Sequence, residues 1–282
     1  MADGRPLTDD QRDTSRARFA RIVARPDPDI ALATAALIVA GHGRPPIDEG
    51  AVLGRLDQLA DLVRLRTDAG DPDEIVAARL HDVLYREAGL RGPTAAEYGE
   101  PANSHLDRVL ERRIGLPISL AVVELEVAWR IGLPLGGIGL PGHFIVGGPE
   151  GTLFDPAGGG SLLTLDDCQA LIRRSVGEGV LLHAGMLRMV GRRQILARIL
   201  RNLRTAHLAR RDWPAALDAI ELLLVLEPTD PEHGRDRGLL LGRMGRFTEA
   251  VVGLRRYLEE RPDAADVPDV RQVIGIFAGR LN

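Results

Sequence analysis

Apolar residues return every three or four positions along most of this chain, and charged residues fill the faces between them, which is the pattern of amphipathic helices. Phe19, Ile22 and Val23 open the first run, which Pro26 and Pro28 interrupt. Asp29 is placed to cap a second helix over residues 30–40, closed by Gly41 and Gly43. A third helix is predicted over residues 48–67, with Leu56, Leu59, Ala60 and Val63 on one face. Asp71 or Asp73 starts a fourth, which carries Leu80, Leu84 and Tyr85 to Ala88. Together these predict a small helical bundle over residues 1–95. His81 reads as a solvated histidine, because Glu87, six residues on, does not share its helix face.

After a loop punctuated by glycine and proline, Asn103 or Ser104 can cap a short helix that ends at Gly115. Pro117 suits the first helical position, where its missing N–H has no partner to lose. Ile118, Ala121, Val122, Leu125 and Trp129 then mark a helix over residues 118–131, interrupted only by Glu124, Glu126 and Arg130. Such a helix belongs at the centre of its domain. The period then shortens to strands at residues 137–140, 143–147 and 151–155, the last two joined by Gly147, Gly148, Pro149, Glu150 and Gly151. A turn centred on Pro149 sets His143 directly opposite Asp155, with Cβ atoms about 4.5–5.5 Å apart. The glycines at 158–160 read as a flexible connector, since no lysine follows at phosphate-loop spacing. Thr164 caps the next helix, which holds Cys168 as a small, half-buried residue.

From about residue 191 an internal repeat appears: Trp213 matches Phe247, Ala216 matches Ala250 and Pro228 matches Pro262, each 34 residues apart. That is the tetratricopeptide period. Two helix pairs are expected, residues 194–210 with 214–226 and residues 232–244 with 248–260, followed by a closing helix at about 267–281. Repeats of this kind build concave surfaces for a protein or peptide partner, and Arg201, Arg204, Arg210 and Arg211 could face an acidic one.

Composition narrows the function. A hydrophobic content of 45% supports a core, built from aliphatics because aromatics make up only 4%. A net charge of −4 argues against a general nucleic-acid partner. The longest apolar run, about ten residues, is half of what a membrane span needs. The polar N-terminus has no apolar targeting segment. One cysteine excludes an internal disulfide and fits the cytoplasm. No metal or cofactor is expected, as none of the seven histidines pairs with a carboxylate at helical ligand spacing.

Candidate catalytic residues are Ser119, His143 and Asp155. Ser119 lies in a helix first turn, where free N–H groups and the positive dipole end stabilise an oxyanion. Asp155 can hold one nitrogen of His143 and turn the other toward Ser119. Around them the segments LDRVLERRIGLPISL, GLPGHFIV and FDP, with RDRGLL further on, resemble the SirB-type family. The resemblance covers most of the chain. It implies an α+β, mostly helical fold: a helical region at 1–95, a transglutaminase/papain-like core with a small antiparallel sheet at 96–190, and tetratricopeptide-type repeats at 191–282. It also puts Ser119, His143 and Asp155 in the places of a Cys–His–Asp triad, with serine where the thiol would be. Two functions follow: a non-catalytic or weakly catalytic scaffold that binds a protein through its repeats, or a Ser119–His143–Asp155 hydrolase or acyltransferase acting on an amide or ester.

Overall fold

The computed structural model describes residues 8–281. Four helices come first: α1 (Asp9–Val23), α2 (Leu32–Gly41), α3 (Glu49–Arg64) and α4 (Asp73–His81), the last running on into a wider π-wound turn, Asp82–Glu87. Thr8 caps α1 and Asp48 caps α3 through their side chains. The other two caps differ from expectation. Asp29 sits inside a short 3₁₀ turn, and Pro72, not Asp71 or Asp73, precedes α4. The carboxylate that replaces a cap on α2 comes from far away: the Ala33 N–H donates to Glu126 Oε1 at 2.7 Å.

Next come α5 (Leu106–Arg112) and α6 (Pro117–Arg130). Asn103 does not cap α5. It is fully buried in the preceding turn, its carbonyl accepting from the Leu116 N–H at 2.9 Å and its side chain bridging Glu97 and Arg112. That interaction fixes where α6 begins. Every residue of α6 from Pro117 to Ala128 is buried, as its nearly uniform apolarity requires.

The sheet has four antiparallel strands in chain order, β1 (Gly136–Leu140), β2 (His143–Gly147), β3 (Leu153–Asp155) and β4 (Ser161–Leu162). The β2–β3 register differs from expectation by two residues, since Val146 pairs with Phe154 and Gly147 with Leu153. Pro149 opens the turn instead of centring it, and Glu150 and Gly151 take the left-handed backbone that reverses the chain. The glycines at 158–160 form a hydrogen-bonded turn, not a loose connector: Gly158 and Gly160 both donate to Asp155 O. Helix α7 (Leu165–Val176) follows, capped by Thr164.

The helix pairs of the repeat follow closely the expected bounds: α8 (Arg192–Ala209), α9 (Trp213–Leu226), α10 (Pro231–Arg243) and α11 (Phe247–Glu260), closed by α12 (Val267–Ala278). Arg211 and Gly245 occupy equivalent left-handed positions in the two tight turns. The main apolar core runs from Phe19 through α6 to Leu226, so it takes in α8 and α9 of the first repeat. A smaller cluster joins Ile145 and Leu153 of the sheet to Cys168, Leu171 and Ile172 of α7.

Candidate functional site

Ser119 stands in the first turn of α6, as the position of Pro117 predicts. Its side chain is nearly sealed, 3% exposed, and its Oγ has no hydrogen-bond partner among the described residues. Two of the first-turn N–H groups are engaged within the helix start: Ser119 N and Leu120 N both donate to Leu116 O, at 2.9 and 3.0 Å. A preorganised oxyanion site needs such donors free and aimed at the reacting oxygen.

His143 and Asp155 do meet. His143 Nε2 lies 2.9 Å from Asp155 Oδ1, and the Ala157 N–H donates to the same oxygen at 3.0 Å. The contact survives the shifted register because a displacement of two residues keeps side chains on one face, where diagonal neighbours remain in reach of a histidine. The hairpin that carries His143 is pinned from the repeats. Arg198 of α8 donates through Nη2 to Leu140 O at 2.9 Å and to His143 O at 2.7 Å, with its guanidinium over the Phe144 ring. No hydrogen bond joins Ser119 to His143.

A second polar cluster lies behind Asp155. Glu124 of α6 is completely buried, with His81 Nε2 3.0 Å from Oε1 and the Tyr85 hydroxyl donating to Oε2. His81 is therefore not solvated. It and Tyr85 are four residues apart and present one face to the carboxylate. Burial, then the Glu124 charge and hydrogen bond, then Asp155, push the Tyr85 phenol well above its ordinary range. The turn after Asp155 packs on this cluster: a Cβ on Gly160 would lie 2.6 Å from the His81 ring. The sequence signal for this cluster was a carboxylate in the middle of an apolar helix.

Cys168 is fully buried, and burial, Asp167 and Asp155 all raise its thiol pKa, which keeps the sulfur protonated and poorly nucleophilic. Glu227, Asp230 and His233 form the one group of metal-type ligands gathered among the described residues. Arg201 already binds Glu227 Oε2 at 2.6 Å, and His233 Nδ1 is buried without a partner. His233 Nε2 lies 2.8 Å from that same Glu227 oxygen, so the three side chains are engaged in an ion-paired loop.

In the repeats, three of the four arginines singled out from the sequence are satisfied within the chain. Arg201 pairs with Glu227, Arg204 with Asp236 and Arg210 with Glu100, at 2.6, 2.7 and 2.8 Å. An open groove of about 650 Å³ lies along α8, α10 and α12, lined by Leu208, Trp213, Leu239, Arg243, Ile276 and Phe277 among others.

Residues 50–201 match the family model described as the transglutaminase-like superfamily, and residues 203–275 match a tetratricopeptide repeat model. A UPF0162 protein of Xylella fastidiosa (strain 9a5c) is 34% identical over 251 residues, covering 87% of this chain and 89% of its own length. The chain belongs to the SirB-type family. Another relative in this family, a UPF0162 protein of Pseudomonas aeruginosa, is 34% identical over 213 residues, covering 74% of this chain and 77% of its own. The likeness extends to F-box only protein 21 of Pongo abelii, 26% identical over 193 residues, which cover 63% of this chain but 30% of that protein. The SirB-type chain thus combines a transglutaminase-like core with repeats, and among its described residues no helix is long and apolar enough to cross a membrane.

Proposed function

We propose that this chain is a non-catalytic or weakly catalytic transglutaminase-like protein that acts as an interaction scaffold through its helical repeats. The observation that carries this is the state of Ser119: its Oγ is buried without a partner and two first-turn N–H groups are bonded to Leu116 O. A serine needs both a base and oxyanion donors to attack a carbonyl. The groove along α8, α10 and α12, by contrast, is open and lined mostly by apolar side chains. A single cysteine supports a cytoplasmic setting. Affinity capture by the full chain, with cross-linking to map the contact, tests the scaffold role. A partner cross-linked within residues 192–281 and retained by Ser119→Ala supports it. A partner that contacts only the surface around His143 and is lost with Ser119→Ala contradicts it.

One observation favours the alternative, a Ser119–His143–Asp155 hydrolase or acyltransferase. The 2.9 Å His143–Asp155 contact holds the imidazole through Nε2 and leaves Nδ1 for another partner. In that case Ser119 would have to emerge from its burial when substrate binds, with Leu116 O released from the first-turn N–H groups.

A further inference from the structure

We infer that the groove along α8, α10 and α12 takes an acidic, apolar segment of a partner protein, with an apolar side chain lodged against Leu208, Leu239, Ile276 and Phe277 and a carboxylate on Arg243. This rests on the scaffold role proposed above and gives the partner its chemistry.

The apolar half follows from exposure. Ile276 is 55% exposed and Leu208 37% exposed, both on the groove wall beside the half-buried rings of Trp213 and Phe277. Large apolar side chains gathered in a concavity mark a binding surface, whereas the same residues scattered singly would not. The volume, about 650 Å³, lies within the range of sites that enclose several side chains of a ligand. Glycine shapes the floor: a Cβ on Gly242 would come within 2.1 Å of the Phe277 ring, so this ring can lie against α10 only because position 242 has no side chain.

The acidic half follows from charge accounting within the groove. Arg243 is exposed and lies over the Trp213 ring, 5.6 Å from its centroid, and no carboxylate of the described residues pairs with it. The other lining guanidinium, Arg204, shares Asp236 with Arg235, which bonds that carboxylate through Nε and Nη2 at 3.0 and 2.9 Å. The groove therefore holds two guanidiniums against one carboxylate that is itself shared. Neighbouring arginines of the repeats do not add to this excess, because Arg237 is matched to Glu221 and Arg256 to Glu260. A guanidinium laid over an indole keeps its N–H edge outward and its conformation narrowed, which prepares it for a bidentate carboxylate. An extended nucleic-acid strand calls for a basic track, and a chain of net charge −4 with one unmatched arginine in the groove favours the peptide.

The test is to pan the full-length protein against a phage-displayed library of random dodecapeptides and to measure the selected peptides, synthesised, by fluorescence anisotropy. Selected sequences are expected to set Asp or Glu beside Leu, Ile, Phe or Trp. Arg243→Glu is expected to weaken binding roughly tenfold or more, Arg243→Lys less, and added salt should weaken it further. Ile276→Asp removes the apolar half at an exposed position and should weaken binding while the thermal midpoint is unchanged. Selection of basic or uncharged peptides, an affinity indifferent to Arg243→Glu and Ile276→Asp, or competition by a single-stranded oligonucleotide in place of peptide would each overturn the assignment. Failure to select any peptide would remove the groove as a peptide site, while a partner cross-linked elsewhere on residues 192–281 would leave the scaffold role standing.

Discussion

Glu124 shows what a single buried charge demands of its surroundings. It has no exposed surface and two side-chain partners, His81 and Tyr85, both from the N-terminal bundle. Glu124→Ala would leave a half-buried imidazole and a buried hydroxyl without their acceptor, which costs roughly 1–3 kcal/mol for each group. Chemical denaturation should show a lower midpoint with an unchanged slope, and Glu124→Gln, which keeps an acceptor, should lose less. Ser119, His143 and Asp155 were legible from the sequence because each lies beside a local signal: a Gly–x–Pro helix start, a strand start and a strand end. His81 was not, because its partner lies 43 residues away and only the fold joins them. The same holds for Arg243, whose distinction is that no carboxylate of the described residues pairs with it as one does with Arg246 or Arg237.

At the scale of elements, periodicity located the helices well, since an apolar stripe is a property of the segment alone. Caps and strand register were harder. Ala33 is capped by Glu126 and the N-terminus of α8 by Asp27, whose oxygens accept from Arg192 N and Arg193 N at 2.8 and 2.9 Å. Both are tertiary contacts without local trace. The β2–β3 register depended on which residues took the left-handed conformation, and Glu150 was not a residue to expect there. Packing between elements gives two predictions. Gly242→Ala forces Phe277 off α10 and should lower stability by about 1–3 kcal/mol while opening the groove, detectable by melting and by peptide binding. At the junction of α5 with α8, burial, Arg44, His207 and Arg108 depress His105 to about 3. The unfolded chain binds that proton near pH 6.5, so between those values it holds more protons than the folded chain and stability rises with pH. From pH 7 to pH 5 the protein should lose about 2 kcal/mol, with His42 and His207, also depressed by burial, adding to the loss. His105→Asn should flatten that slope in denaturation measured across pH.

For the whole molecule, the repeats are not an appendage. The main core contains Ile195, Leu196, Leu200 and Leu203 of α8 together with Leu222, Leu223 and Leu226 of α9. Arg198 reaches from α8 to the carbonyl of His143. A chain cut after Gly191 should therefore not melt cooperatively, and its circular dichroism on heating checks this directly. The sequence marked the repeat unit at its 34-residue period but could not show that the first unit completes the core, because that depends on which face α8 turns inward.

The scaffold role rests on Ser119 being chemically silent in the folded protein. Incubation of the full chain with a fluorophosphonate probe, followed by mass spectrometry of the peptide carrying residue 119, measures this directly. The expected result is no adduct at Ser119 in folded wild-type protein. An adduct at Ser119 that disappears with His143→Ala would show a working nucleophile and base, and would replace the scaffold role with a Ser119–His143–Asp155 enzyme.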